Sequence, residues 1–330
     1  MLESFGSLLF TILSFLIVLN VVIFVHEYGH FQVARWFGVA VRSFSFGWGK
    51  EIFGWNDKKG ARWKVSQLPI GGFVSFIDDV DATSARPADM ARDPEALAEA
   101  RKQGFIHAQP PGVRALVSFA GPGANFIFAI VVFAALVMIF GKNETNTRQL
   151  PARVDGVEAS SPAGRAGVKV HDVVVGVNGA RIATFGELQD AVADKTGKPL
   201  KLTLKRDGAL VDVTATPMAA SETISEGPDT GVERKFGRLG IATITQPNEV
   251  KIRHPGPIEA LGDGVSQTWG RVSSTGYYLA NVVTGRAAAT QLAGPLGIAQ
   301  ISGQTAHNAV RQGNLIERLA SRGAKLIFLA

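Results

Sequence analysis

Two long stretches of the chain carry no charge at all. The first runs from about Leu8 to Val25 (LLFTILSFLIVLNVVIFV) and the second from about Ala115 to Phe140. A helix needs roughly 20 apolar residues to cross a hydrocarbon core about 30 Å thick, and both stretches qualify. The first is expected to remain as a membrane helix rather than a secretory signal. MLES ahead of it holds no Lys or Arg, and no small-residue cleavage site follows it. Between the two stretches, Ser43 to Gly49 alternates small or polar residues with Phe44, Phe46 and Trp48, which is strand periodicity. RWKVSQLPIGGFVSF continues in the same manner, punctuated by Pro69 and Gly71-Gly72. Aromatic residues crowded directly behind an apolar stretch predict short hairpins partly immersed at the membrane face. Residues 78–104 are polar and Ala-rich and predict a loop followed by a surface helix.

From Pro151 the pattern changes. Branched residues alternate with turn signals such as Asn178-Gly179, FGELQDAVAD forms a short amphipathic helix, and LKLTLKRDGALVDVTATP reads as a hairpin turning at Asp207-Gly208. Residues 219–237 read as a mobile polar stretch, and GRLGIATI as one further strand. Beyond Pro257, the residues Ile258, Leu261, Val265, Trp269 and Val272 fall on one side of a helix, which suits an interfacial or docking role. The closing LIFLA opens another apolar run, and the chain is expected to continue past Ala330 into a third membrane helix.

Hydrophobic residues make up 46% and charged residues 19% of the chain, which points to a membrane protein with soluble parts. The placement of charge orients it. Arg35, Arg42, Lys50, Lys58, Lys59, Arg62 and Lys64 follow the first apolar stretch closely, whereas only Glu3 is charged ahead of it. By the positive-inside bias that loop is cytoplasmic, and the N-terminus and everything after Phe140 lie outside. The chain has no cysteine, which excludes disulfides, thiolate zinc sites and thiol nucleophiles. No basic stripe is interleaved with aromatics, so nucleic acid is not an expected partner.

The chemistry sits at the end of the first apolar stretch. His26-Glu27-Tyr28-Gly29-His30 is an H-E-x-x-H sequence. On a helix, positions i and i+4 share a face, so both imidazoles can reach one ion while the carboxylate lies beside them. Zinc accepts neutral imidazole and leaves a position for water, whose proton the glutamate can take and pass to a leaving amine. The bland alternative is a polar cluster in the headgroup zone that contacts only water. Ionisable groups at membrane depth are nonetheless costly and usually functional.

HEYGH at 26–30, PIGGFVSF at 69–76, GPGANF at 121–126, the region 151–217 and AGPLGI at 293–298 together resemble the site-2 protease family of intramembrane zinc metalloproteases, of the regulator of sigma-E protease type. The resemblance spans the whole chain. It implies a multi-pass α-helical membrane protein with membrane-associated β-hairpins and an inserted PDZ-like domain, β-rich and of α+β type. The implied organisation is a first transmembrane helix over 1–30, a cytoplasmic loop with re-entrant hairpins over 31–113 and a second transmembrane helix over 114–140. An extracytoplasmic PDZ-like domain follows over 151–217, then a linker with an extra strand over 218–256 and amphipathic helices leading to a third transmembrane helix over 257–330. It also implies Zn2+ on His26 and His30, with Glu27 as catalytic acid and base. The family's Gly-x-x-x-Asn element maps to Gly121 and Asn125, which implies that they lie near the active site, with Asn125 holding substrate backbone. Bonding of Asn125 within the helix pair alone is the other reading.

The implied setting is a bacterial inner membrane with the PDZ-like domain periplasmic. The implied partners are the lipid bilayer, single-span membrane substrates such as anti-sigma factors or remnant signal peptides, and a peptide or C-terminus at the PDZ-like domain. The hairpins would clamp the substrate as an extended strand. One departure stands out. The family's third ligand is an aspartate in an Asn-x-x-Pro…Leu-Asp-Gly segment, which these residues lack. Glu51, Asp78, Asp79 and His107, His171, His254 and His307 are poor substitutes on position alone. The rival reading is therefore a catalytically incomplete, membrane-anchored PDZ adaptor. A zinc-binding or transport protein ranks behind it, because the apolar stretches hold only Asn20, Asn125 and scattered hydroxyls.

Overall fold

The computed structural model describes residues 2–78, 94–289 and 294–311. They fall into two compact units, residues up to 133 with a helix near the end of the chain, and residues 134–292. The first unit opens with α1 (Leu2–Trp36), a single helix of 35 residues. It stops two residues before Gly38, whose φ of +73° no helix continues through. Two strands follow, β1 (Val41–Asn56) and β2 (Arg62–Phe76). Then come α2 (Pro94–Lys102) and α3 (Pro111–Phe140), the latter with Pro122 inside it. Leu8–Trp36 and Pro111–Phe140 are the two helices among the described residues that are long and apolar enough to cross a membrane.

Where short hairpins were expected, β1 and β2 are long and fold back on themselves. Val41 to Phe46 pairs with Phe76 to Gly72, and Ser43 to Phe46 also pairs with Arg62 to Val65. The later half of β1, Glu51 to Asn56, lies against Ser66 to Arg62. The ribbons therefore run in the order 72–76, 41–46, 62–66, 51–56, with 72–76 at an edge. Glycines explain the bends. Gly47, Gly49 and Gly71 have φ of +88°, +95° and +83°, so each strand turns without being broken. Phe31, Ala34, Val41, Phe44 and Val117 form the core that binds this sheet to the helices. The Phe44 and Trp63 ring centroids lie 4.6 Å apart within it.

The second unit contains β3 (Lys142–Asn143), β4 (Gly156–Val157), α4 (Pro162–Arg165), β5 (Val173–Val177), β6 (Ala180–Arg181) and α5 (Phe185–Ala193). It continues with β7 (Leu200–Arg206), β8 (Ala209–Ala215), β9 (Met218–Thr223), β10 (Glu233–Arg238), β11 (Ile241–Ala242), β12 (Ile252–Arg253) and α6 (Pro257–Val283). Its four-stranded sheet has the order β6-β5-β7-β8. α5 starts at Thr184, which caps Glu187 N–H while the Glu187 carboxylate accepts from Ala183 N–H, a reciprocal cap.

Two expectations change here. Residues 219–237 contain a hairpin, β9 with β10, rather than a mobile stretch. Its cross-strand Arg234–Glu222 pair and regular register supply the order that a polar composition concealed. The core of Val154, Val174, Leu188, Leu200, Leu202 and Leu204 also takes in Leu239, so it does not close at 217. β11 pairs with β4 across that interval.

α6 begins beside the end of α3. β3 pairs with β12, Lys142 Nζ lies 2.7 Å from Asp263, and Arg253 bonds both Glu144 and Glu259. Its exposed stripe includes Ile258, Leu261, Val265, Trp269 and Val272. A last helix, α7 (Pro295–Arg311), belongs to the first unit and packs along α1, where a Cβ on Gly303 would collide with Thr11. The LIFLA segment lies outside the described residues.

Candidate metal centre

His26 and His30 leave the same face of α1, one turn apart, and their Nε2 atoms approach to 3.2 Å. The far nitrogen of each ring decides what Nε2 can do. Nδ1 of His30 donates to the Val117 carbonyl on α3 at 2.6 Å. A carbonyl can only accept, so the proton is on Nδ1 and Nε2 carries a lone pair. Nδ1 of His26 lies 3.3 Å from the Asn125 amide nitrogen, while Asn125 Oδ1 is buried with no partner among the described residues. Turning that amide over places Oδ1 on a His26 Nδ1–H, satisfies the orphan oxygen and leaves a lone pair on His26 Nε2 as well.

Two lone pairs at that separation repel unless a cation attracts both. Zinc–imidazole bonds of about 2.0–2.1 Å at tetrahedral angles hold their nitrogens about 3.3 Å apart, so the pair fits two corners of a zinc site. Gly121 makes the space. A Cβ there would lie 2.3 Å from His30 Nε2 and 2.6 Å from His26 Nε2. Gly29 on α1 is equally constrained, since its Cβ would stand 2.3 Å from the Ala120 carbonyl and 2.7 Å from Ala124 Cβ. Small residues let the two helices come this close.

Glu27 turns from the ring pair towards the sheet. Its Oε2 accepts from the Val74 N–H of edge ribbon 72–76 at 3.1 Å. A cavity of about 510 Å³ opens beside it, lined by Glu27, His30, Val74, Phe76, His107 and Arg114 among others. His107 at this cavity is held by Asp78, which accepts from its Nδ1 at 2.8 Å and its backbone N–H at 2.9 Å. The structure thus brings His26, Glu27, His30, Gly121 and Asn125 into one site.

Among the described residues nothing joins the pair as a third ligand. Among the described residues no group of three His, Cys, Asp or Glu side chains could hold a metal ion. Glu51 is engaged by Arg62, Asp78 by His107, and His254 Nδ1 donates to the Met138 carbonyl at 3.2 Å. Asp79 and the His307 side chain lie outside the described residues. Sequence reasoning missed the Val74 N–H, because a backbone donor leaves no mark on residue type. It also missed the partners of Asn20, although an amide inside an uncharged apolar stretch was a visible signal.

The profile of peptidase family M50 matches residues 14–321 of this chain. The chain belongs to peptidase family M50. Several proteins similar to this M50 chain have names that state the chemistry. A Rhizobium meliloti protein named as a zinc metalloprotease is 38% identical over 300 residues, covering 91% of this chain and 77% of its own length. Metalloprotease MmpA of Caulobacter vibrioides is 33% identical, over 92% of this chain and 75% of its own. Regulator of sigma-E protease RseP of Salmonella typhimurium is 26% identical, over 92% and 83% respectively. The M50 chain is therefore a peptidase of the metallo-class.

Proposed function

We propose that this M50 peptidase is an intramembrane zinc metalloprotease that cuts a peptide bond within or near the transmembrane segment of single-span membrane proteins. The observation that carries the reading is the convergence of the His26 and His30 Nε2 lone pairs over the gap that Gly121 leaves open. His26 and His30 hold the ion, and when bound it supplies Lewis acidity to water and scissile carbonyl. Glu27 takes the proton of the attacking water and returns it to the leaving amine. The 72–76 ribbon offers an edge to which an extended substrate adds as a strand, so a substrate helix must unwind to present its carbonyls. Asn125 aims His26 and holds substrate backbone.

In this reading the site lies in a bacterial inner membrane, with the 41–78 sheet on the cytoplasmic side and residues 142–289 outside. Two helices long and apolar enough to cross a membrane, and the Lys/Arg-rich loop between them, support it. The apolar stripe of α6 then lies on the bilayer surface. The β-rich region is a PDZ-like module, and the groove between α5 and residues 234–241 receives a peptide end. Anti-sigma factors and remnant signal peptides are the substrate classes that suit this arrangement.

The deciding experiment is Glu27→Gln in the complete protein, with bound zinc and substrate cleavage measured together. Cleavage is expected to fall by at least about a thousandfold while zinc is retained. Unchanged processing of membrane partners by the variant would instead support a membrane-anchored PDZ adaptor.

A further inference from the structure

Asn20 is the one amide side chain in the uncharged stretch Leu8–Val25, and its hydrogen bonds are directed at backbone. Its Nδ2 donates to the Leu16 carbonyl at 2.7 Å and to the Pro69 carbonyl at 2.8 Å. Its Oδ1 accepts from the Gly71 N–H at 3.2 Å. Two of these partners belong to the bend of β2. Gly71 has φ +83°, and a Cβ on it would sit 2.9 Å from Trp48 Nε1, so the bend requires glycine. In an apolar surrounding, a carbonyl and an N–H exposed by such a bend need partners, and Asn20 supplies both at once.

The spacing gives this contact its meaning. Asn20 and Glu27 are seven residues apart, two helical turns, so they share a face of α1 about 10.5 Å apart along its axis. Their partners Gly71 and Val74 are three residues apart along the ribbon, which reaches at most about 10 Å. The two distances match, and both chains run in the same direction. Helix and edge ribbon are thus joined by two rungs of a ladder, Asn20 to Gly71 and Glu27 to Val74. The lower rung involves the residue that does the proton chemistry; the upper rung is free of that duty.

We propose that Asn20 is a positioning residue that fixes the register of the 72–76 edge against Glu27, and thereby determines which bond of an extended substrate is cut. This rests on the reading of that ribbon as the substrate platform. Without the upper rung the ribbon can slide along α1. A substrate strand keeps the same side chains facing inwards only if it slips in steps of two residues.

The test uses the complete protein in membranes. Residues 1–330 contain no cysteine, so in a form with any cysteine elsewhere replaced, one spin label each can be attached at Trp36 and Ile70, which are 71% and 48% exposed. The unsubstituted protein is expected to give one narrow label-to-label distance, and Asn20→Leu a broad one with bound zinc unchanged. Mass mapping of product ends should show one dominant cut in the former. In Asn20→Leu the cut should spread to bonds two residues away, with kcat/KM lowered about tenfold or more. A broad distance in the unsubstituted protein overturns the inference without any substitution. So does a narrow distance and an unmoved cut in Asn20→Leu. If the unsubstituted protein cleaves nothing, the protease reading fails, while the distances still decide whether Asn20 pins the ribbon.

Discussion

At the scale of single residues, the candidate centre depends on what is missing as much as on what is present. Gly121 contributes only the absence of a side chain. Gly121→Ala would push a methyl carbon to within 2.6 Å of both ring nitrogens, which is relieved only by turning the rings away from the position in which they converge. Bound zinc per chain, measured after dialysis against a weak chelator, is expected to drop at least tenfold. Asn125→Leu keeps the volume but removes the acceptor that fixes His26. Outer partners of this kind typically contribute 10- to 100-fold in metal affinity, and a loss in that range is expected. If Asn125→Leu retains native zinc affinity yet raises KM, the amide serves substrate rather than His26.

At the scale of elements, the β-rich unit contains a buried charge whose effect on stability can be read from pH. Asp172, 1% exposed, receives two 2.7 Å hydrogen bonds from Arg206 at the end of β7. Arg206, followed by the Lys169 N–H, holds its carboxyl below the usual carboxylate range. The folded-state pKa is the lower one, so the stabilisation is complete above the ordinary range and is lost as pH falls through the folded value. Asp172→Asn should cost about 3 kcal/mol near neutral pH, and acid titration should close the gap between the two proteins. A gap that persists in acid would point to packing instead. Which elements were legible in advance follows from the same physics. HEYGH, the uncharged stretches and the Asp207-Gly208 hairpin announce themselves through local spacing. The doubling back of β1 and β2 does not, because it depends on three glycine bends whose direction only tertiary pairing decides. The β9–β10 hairpin was hidden for a related reason: its strands are stabilised by cross-strand partners such as Arg234 and Glu222 rather than by apolar alternation. Leu239 illustrates the limit, since nothing in GRLGI says that its leucine joins a core begun 87 residues earlier at Ala152.

At the scale of the whole molecule, the proposed orientation is directly measurable, because residues 1–330 contain no cysteine to compete with one introduced singly among them. Leu210, 70% exposed in the β7–β8 hairpin, should react as cysteine with an impermeant maleimide added outside intact inner-membrane spheroplasts. A cysteine at Lys59, in the turn between β1 and β2, should react only after lysis. The reverse pattern would invert the topology and with it the side on which substrate enters. The length of α1 carries a further consequence. Its apolar part begins at Leu8, and His26 follows 18 residues later, about 27 Å along the helix, so in the proposed orientation chemistry would fall near the inner boundary of a core about 30 Å thick. A membrane-spanning substrate cut at that depth would be divided very unequally. The outward piece would keep nearly all of its greasy length and stay dissolved in lipid, whereas the inward piece would carry only a stub too short to anchor it. Departure of the inward piece into water would then require no extraction machinery, and the same cut that breaks the chain would set a cytoplasmic messenger free.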